Sequence, residues 1–276
     1  MDRESVGAKI KALRQSRGLK GKDLADKTGL SAAAISKFEN GLLRPTDTLI
    51  DAVIKALDLS AQETYALREL SSFVNSQFAR WSTDSKAIAT NQHNHAIREK
   101  NSRVIRGYFN QIIPGLLQSE RYMSVVFETL VRSDRENIAE FIRSRKKRQK
   151  ILQSKKMNFT YVLSEGALRA CLGSRDTLVD ALRHLIHLID TYPTVEIRVL
   201  PWNKVLNRVL VDSFVLFDER NVNIEVMQGE LDLWTGDDVS YYVDTMNYLV
   251  SASLSQAASK EFIEAVIKDI GKQKDG

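Results

Sequence analysis

Residues 24–38, which read LADKTGLSAAAISKF, are the stretch that most constrains the fold of this 276-residue chain. Ala25, Gly29 and Ile35 have the spacing that two short helices need to cross closely at an angle. Gly29 supplies the positive φ that a tight turn between helices requires. Ser31 then stands at an N-cap position, where its hydroxyl accepts from the first amides of a helix. The segment therefore predicts two crossed helices, the second beginning directly after Ser31.

The flanking segments predict four or five short helices within the first sixty residues. Ser5 is expected to cap a first helix over 6–17. The triplet ENG at 39–41 stops the second helix of the crossed pair, and Thr46 or Asp47 caps the next one. This order of elements is that of a helix-turn-helix, whose second helix can lie in the major groove of DNA.

Residues 5–60 resemble the Cro/CI-type (XRE) DNA-binding domain. The shared features are the order of the helices, the ENG after the recognition helix, and the Arg-Pro pair six residues past Phe38. The resemblance implies an N-terminal all-α, lambda-repressor-like domain that binds double-stranded DNA. It also implies an ion pair between Arg14 and Glu39, which braces the first helix against the end of the recognition helix.

The same resemblance assigns DNA-contacting roles. Bases would be read from the first turns of the recognition helix, with a lysine donating to guanine and alanine methyls meeting thymine methyls. The alternative for the alanines is that they only favour helix. Phosphates would be contacted from the start of the second helix and from beyond the recognition helix. The predicted DNA-binding residues are Lys20, Ser31, Ala32, Ala33, Ser36, Lys37, Asn40 and Arg44. Many relatives carry a Ser-Gln pair where this chain has Lys20 and Gly21, so a side-chain cap is lost there.

Length and charge predict a second domain of different character. About 200 residues remain after the first sixty, enough for at least one further domain. The net charge of +5 is uneven, with +8 over 101–160 and −7 over 161–276. Such asymmetry suits a chain that contacts a polyanion at one end. The predicted organisation is a DNA-binding domain at 1–60, a helical connector and linker at 61–103, with 81–95 as the linker, and a regulatory domain at 104–276.

Composition argues against several classes of protein. A single cysteine excludes an intramolecular disulfide, which favours a reducing cytoplasm. No run of 18 apolar residues occurs, and the charged opening residues do not suit a signal peptide, so we expect a cytoplasmic protein without membrane contact. DNA binding without organelle signals points to a bacterium or phage, with the protein associated with the nucleoid when it is bound to DNA. His93 and His95 would share a face of an extended chain, but no further ligand is spaced to complete a metal site, so surface histidines are expected.

The region after residue 103 alternates strand and helix patterns and predicts a mixed α+β domain. Helices are expected at 177–191, 241–254 and 259–270. The expected strands are 158–163, 194–200, 211–217, 222–227 and 230–234. The last three are separated by only a few residues, which predicts an antiparallel meander.

Four segments in this region resemble the C-terminal domain of the WhiJ-like, antitoxin-like regulators of actinomycetes. They are PGLLQSERY at 114–122, the helix with Arg145, Arg148 and Gln149, LSEGALRACLG at 163–173, and VEIRVLPW at 195–202. The chain departs from the pattern after Trp202, where a Gly- and His-rich segment is usual. The resemblance implies a regulator, often encoded beside a small acidic or DNA-modulating partner protein, with an antitoxin-like role in some cases.

Catalytic chemistry finds little support. No nucleophile elbow, phosphate-binding glycine loop or metal constellation occurs, so neither catalytic residues nor a cofactor are predicted. Glu165 is a candidate to face Arg145 and Arg148 as a charge cluster. His184 and His187 are interpreted as a partly packed helix flank, and Cys171 as a small core residue, with redox sensing as the alternative.

Two further features leave alternatives open. The basic run at 143–156 is either a solvated helix face or a surface for phosphate or a small acidic partner. Trp202, Phe214, Trp234 and Tyr241 either line an effector pocket or pack in the core. The sequence as a whole predicts a dimeric transcriptional regulator, a repressor or a dual regulator, that binds a pseudo-palindromic operator and senses a small molecule or a partner protein. An antitoxin-like protein that sequesters a small partner and regulates itself through DNA binding is the alternative.

Overall fold

The structure is a computed structural model, and it describes residues 3–42, 46–75, 79–80, 85–130, 135–226, 229–233 and 236–272. The chain forms two compact units. One contains residues 1–78 and 231–239, and the other contains residues 79–230 and 240–276. The domain limits predicted at residues 60 and 103 stay predictions.

The first unit is helical. Its helices are α1 (Arg3–Ser16), α2 (Gly21–Thr28), α3 (Ala32–Glu39), α4 (Asp47–Ala56) and α5 (Ala61–Asn75). Their apolar faces enclose one core, in which Val6, Ile10, Leu24, Ile35 and Phe38 are almost fully buried. Burial of this shared face, rather than the stability of any one short helix, holds the unit together.

The predicted caps position these helices. Gly29 closes α2 with φ +71°, and the Ser31 hydroxyl accepts from the Ala34 N–H at 3.1 Å, so that α3 starts where the sequence indicated. Thr46 caps α4 through the Leu49 N–H. The expected cap at Ser5 is wrong, because α1 already begins at Arg3 and contains Ser5; arginine and glutamate favour helix and extend it backwards.

The second unit is built on a mixed sheet. Its strands are β1 (Ala79–Arg80), β2 (Val104–Phe109), β3 (Asn158–Ser164), β4 (Val195–Leu200), β5 (Ser213–Phe217), β6 (Asn221–Val226) and β7 (Gly229–Leu233, of which residues 229–230 belong to this unit), in the order β1-β7-β6-β5-β2-β3-β4. Strands β2, β3 and β4 are parallel, whereas β5 runs antiparallel to β2 and β6 antiparallel to β5. The short β5–β6 connection confirms the antiparallel pairing predicted from the close spacing of these segments.

The second unit also contains the helices α6 (Ser85–Asn101), α7 (Glu120–Leu130), α8 (Ile138–Gln149), α9 (Glu165–Arg169), α10 (Arg175–Thr191), α11 (Gly236–Ala252, of which residues 240–252 belong to this unit) and α12 (Gln256–Lys272). Helix α9 packs against β3, and α10 and α12 pack against β4. Short 3-10 turns occupy Gly115–Leu117, Arg135–Asn137 and Lys150–Gln153. The apolar stripe of α10, including Leu182 and Leu185, joins one core with Ile197 and Val199 of β4. The predicted fold class, a helical N-terminal region followed by a domain of mixed sheet and helices, is confirmed.

The linker expected at 81–95 is wrong over most of its length. Residues 81–84 lie outside the described residues, but 85–95 belong to α6. The inward face of α6 carries polar side chains, with Gln92 and Glu99 both buried. Apolar periodicity was the signal for a packed helix, and a helix packed through polar side chains lacks that signal.

Candidate nucleic-acid interface

One face of α3 points to solvent and carries every base-reading residue predicted from the sequence. Ser31, Ala32, Ala33, Ser36 and Lys37 are all exposed. The opposite face is buried in the core of the first unit through Ile35 and Phe38. A helix held from behind in this way presents a rigid outer face. Apart from the Ser31 cap, the exposed groups are the Ser36 hydroxyl, the Lys37 ammonium and the methyl groups of Ala32 and Ala33.

An ion pair fixes the end of α3. Arg14 Nε donates to Glu39 Oε1 at 2.6 Å, and Nη2 donates to Oε2 at 2.9 Å. The same guanidinium donates from Nη1 to the Leu19 carbonyl at 2.5 Å. The two side chains are only 9% and 8% exposed, and the hydrogen bond to Glu39 raises the pKa of Arg14. Arg14 therefore ties the end of α1, the α1–α2 turn and the end of α3 to one another.

Gly7 permits a backbone contact that the sequence reading missed. A Cβ at this position would lie 2.5 Å from the carbonyl oxygens of both Phe38 and Glu39, closer than any real Cβ contact. The last turn of α3 thus packs directly against the backbone of α1. A glycine inside a helix costs about 1 kcal/mol relative to alanine, and that cost was the available signal that a close approach required it.

The three predicted phosphate-contacting residues have different surroundings. Lys20 is exposed at the N-cap of α2, where its backbone N–H donates to the Asp23 carboxylate at 2.7 Å. The ammonium group of its side chain cannot accept a hydrogen bond and therefore cannot cap the helix. Asn40 Nδ2 donates to the Ser36 carbonyl at 2.9 Å, so this amide closes α3. Arg44 lies outside the described residues.

A second ion pair joins Arg17, the residue after α1, to the start of α5. Arg17 Nη2 contacts Glu63 Oε2 at 2.9 Å, and Glu63 also accepts from the N–H and the hydroxyl of Ser60. The Ser60 hydroxyl in turn accepts from the Glu63 N–H, which completes a capping box. These hydrogen bonds, with that from Arg17 foremost, lower the pKa of Glu63 to about 2.

The four aromatic residues considered for an effector pocket are dispersed between core and surface. Phe214 is buried and packs against Tyr108 and Tyr242, with ring centroids 6.1 and 4.9 Å away. Tyr241 is 62% exposed and Trp202 is 66% exposed. Trp234 lies outside the described residues. A pocket lined by Trp202 and Tyr241 would therefore have to be open to solvent, and the pocket stays a prediction.

The basic run at 143–156 divides into buried and exposed cations. Arg148 on α8 pairs with Glu99 on α6, and Lys146 pairs with Glu120 on α7. Five further cations are exposed, namely Arg143, Lys147, Lys150, Lys155 and Lys156. The interpretation of the whole run as one solvated face is wrong, because two of its arginines point into the protein.

Arg145 is the second of these buried arginines. Its Nη1 donates to Gln118 Oε1 at 2.6 Å, and its guanidinium carbon lies 4.3 Å from the centre of the Phe127 ring. Burial lowers the pKa of Arg145 to about 9. The expected cluster of Arg145 and Arg148 with Glu165 does not form, because Glu165 pairs with Arg169 one helical turn away.

Two other expectations about single residues are corrected. His95 is not a surface residue, since its Nε2 lies 3.1 Å from Glu230 Oε2 and its side chain is largely buried. Burial opposes ionisation of Glu230, but its hydrogen bond from His95 holds the pKa below the ordinary value. Cys171 is exposed rather than in the core, because α9 ends at Arg169 and its buried face does not continue that far.

Within the described ranges, no group of three or more His, Cys, Asp and Glu residues has the arrangement of a metal site. The same residues include no helix with the length and apolar character needed to span a membrane.

Comparison with known proteins assigns a family to each part of the chain. Residues 10–63 match a family model described as helix-turn-helix, and residues 92–265 match one described as a domain of unknown function, DUF5753. No curated protein and no solved structure matches the chain. The N-terminal domain is thus an XRE-type helix-turn-helix, a type found in DNA-binding regulators, and neither match indicates an enzyme family. Because the second match spans more than half of its residues, the chain belongs to the DUF5753 family, with a helix-turn-helix domain ahead of the DUF5753 region.

Proposed function

We propose that this chain is a sequence-specific transcriptional regulator, not an enzyme, that acts as a homodimer on a pseudo-palindromic operator. The observation that carries the proposal is the exposed face of α3, with Ser36 and Lys37 outward and Ile35 and Phe38 buried behind them. In this proposal the exposed Lys37 ammonium donates to guanine O6 and N7, and the exposed Ser36 hydroxyl bonds either kind of base. Half-sites would then lie about one helical turn of DNA apart.

The phosphate contacts supply affinity in this proposal. Lys20 is an exposed cation at the start of α2 and neutralises one phosphate. The Asn40 amide nitrogen donates one N–H to the Ser36 carbonyl, and its second N–H can donate to a DNA phosphate. With so few groups for direct base reading, dimerisation has to raise the affinity for a specific site.

The DUF5753 region would bring dimerisation and sensing. Its four sequence segments support a WhiJ-like regulator of a bacterial cytoplasm, and an effector of either kind, a small molecule or a partner protein, suits this role. A ligand of this region changes DNA affinity only by the difference in its affinity for two conformations. The proposal includes repression as the default outcome, since an operator-bound dimer excludes polymerase from overlapping DNA.

Selection of bound sequences from random double-stranded DNA, at a stated salt concentration, tests the proposal. The expected result is an enriched palindrome, and loss of preference at one position per half-site in Lys37→Ala. Lys55→Ala, which removes an exposed cation from the last turn of α4, is the matched control and is expected to keep the preference. Recovery of unenriched DNA by the wild-type chain would refute sequence-specific binding.

An antitoxin-like function is the second candidate, and one observation favours it. Arg143, Lys147 and Lys150 are exposed on one side of α8 and its following turn, spaced four and three residues apart. Cations at this spacing form a stripe that matches an acidic partner surface. Co-purification of the untagged product of the neighbouring gene in stoichiometric amount would support this candidate. A chain that purifies alone and selects an operator would support the primary one.

A further inference from the structure

The connection between β4 and β5 exposes an unusual amount of apolar surface. We call residues 202–211 the apolar loop. Val205 and Val209 are 90% and 86% exposed, and Trp202, Leu206 and Val211 are exposed as well. Tyr241 on α11 is likewise exposed. Isolated surface apolar residues need no explanation, but six large ones in a single loop and the helix that holds it mark an interaction site.

Hydrogen bonds hold the apolar loop in place. The Asn207 N–H donates to the Tyr248 hydroxyl at 2.9 Å, and Arg208 Nη1 donates to the Thr245 hydroxyl at 3.0 Å. The Arg208 guanidinium also lies over the Tyr248 ring, 5.1 Å from its centre. Both anchors are on α11, and the Thr245 hydroxyl donates to the carbonyl of Tyr241 one turn earlier. The loop is therefore fixed against α11 while its valines point outward, so that binding costs little ordering.

We propose that the apolar loop and Tyr241 form the interface with a second copy of this chain. The six side chains are between 36% and 90% exposed and together present on the order of 800 Å², about what each partner contributes to a standard protein–protein interface. The patch also carries both signs of charge, with exposed Lys204 on the loop and exposed Asp244 on α11. A two-fold interface places the same patch on both sides, and mixed charge makes such a patch self-complementary.

The need for a self-interface comes from the proposed function, on which this inference rests for its biological reason. An exposed α3 face with two polar reading groups gives a single domain little base discrimination, and two copies on paired half-sites multiply it. An acidic partner is a poorer occupant, because the charge that would attract it lies on α8 rather than on this apolar patch.

Sedimentation of the full-length chain over a dilution series tests the proposal without DNA. The wild type is expected to dimerise, and Val205→Asp with Val209→Asp is expected to raise the dimer dissociation constant by a factor on the order of 100 or more. Both valines are almost fully exposed, so these changes leave the fold intact. Ile97→Asp with Leu130→Asp is the matched control, since it places two acids at exposed apolar positions on α6 and α7 and should leave the dimer unchanged. A monomeric wild type, or an undiminished dimer in the valine variant, overturns the proposal.

Cross-linking gives a second measurement that does not depend on disruptive variants. In a Cys171→Ser background, Val209→Cys is expected to yield a cross-linked dimer with a short bifunctional maleimide, whereas Ile97→Cys is not. Absence of the cross-link at position 209 in a dimeric chain assigns the dimer to another surface and overturns the inference. A chain that cross-links through the loop but selects no DNA sequence would instead refute the proposed function and leave the interface standing.

Discussion

Arg148 on α8 reaches Glu99 on α6 and forms a two-fold hydrogen-bonded ion pair in the interior of the second unit. Arg148 Nε donates to Glu99 Oε2 at 3.0 Å, and Nη2 donates to Oε1. The side chains are only 9% and 5% exposed. Arg148 also donates to Gln92, which lies on α6 together with Glu99. This pair accounts for the packing of α6, a segment whose sequence looks like a linker.

Replacing Glu99 by Gln is expected to destabilise the protein by about 3–5 kcal/mol, because the Arg148 charge would stay buried without its counter-charge. Chemical denaturation followed by circular dichroism measures this change. Glu120→Gln, which breaks the exposed pair with Lys146 on the same helix α8, is expected to cost about 0.5 kcal/mol or less. Equal losses in the two variants would show that burial of the Arg148 pair is unimportant.

The Arg14–Glu39 pair should behave in the same way within the first unit. Glu39→Gln is expected to cost about 3 kcal/mol or more and to weaken operator binding, since the end of α3 loses its brace. The pair Arg68–Asp51, about half exposed, is the matched control, and Asp51→Asn should cost about 0.5 kcal/mol or less. In a double-mutant cycle with Arg14→Met, additive effects would contradict a direct interaction.

Gly7→Ala is expected to destabilise the first unit by about 1–3 kcal/mol, although alanine favours helix by about 1 kcal/mol. The added methyl group would collide with the carbonyls of Phe38 and Glu39 and force α3 away from α1. Gly21→Ala is the control, because a Cβ at position 21 meets no other atom within 4 Å. Thermal unfolding of the two single variants compares their stabilities. If Gly7→Ala matched Gly21→Ala in stability, the close contact would be refuted.

The Glu63 capping box predicts a dependence of stability on acid. The pKa of Glu63 falls to about 2 in the folded protein, below the ordinary 4.5 of an unfolded chain. The contribution of Glu63 to the free energy of unfolding is therefore fully present above the unfolded pKa, and it is lost as the pH falls from about 5 towards 2. Denaturant titrations at several pH values should show this loss as a slope of the free energy of unfolding against pH. Glu63→Gln should remove the part of this slope that comes from Glu63. An unchanged slope in the variant would assign the acid sensitivity to other carboxylates.

The exposed cations of α8 and of the turn that follows it are expected to bind a protein partner rather than the operator. Lys147→Glu with Lys150→Glu should leave operator affinity and its dependence on salt unchanged, because neither lysine neutralises a DNA phosphate in the proposed complex. The measurement is a fluorescence anisotropy titration at several salt concentrations, with Lys20→Ala as the control that lowers the salt slope by about 1. A shallower slope in the double variant would place α8 on DNA.

How far the sequence predicted the fold depended on whether a signal was local. The turn at Gly29 and the caps at Ser31 and Thr46 are short-range features, and the structure has each where it was expected. Buried polar contacts leave no such trace, because Arg148 reads as a surface cation until its partner Glu99 is brought beside it by the fold.

The candidate site shows the same division. Placement of the α3 residues follows from helical periodicity alone, so Ser36 and Lys37 lie outward as the pattern indicates. The contact at Gly7 depends on the approach of a segment thirty residues later, and the exposure of Cys171 depends on where α9 ends. Neither is encoded in the neighbouring residues.

The contact between Gly7 and the last turn of α3 has a mechanical consequence. The carbonyl oxygens of the last turn of α3 lie directly against the Gly7 backbone, so this contact contains no side chain that could change rotamer and no space for α3 to rotate. The two hydrogen bonds from Arg14 to Glu39 restrict the end of α3 further. Helix α3 is in effect a rigid extension of α1. In the proposed dimer, a signal that alters operator binding would then have to move helices α1 to α5 together, which changes the distance between the two copies of α3 rather than the orientation of either α3 in its DNA groove.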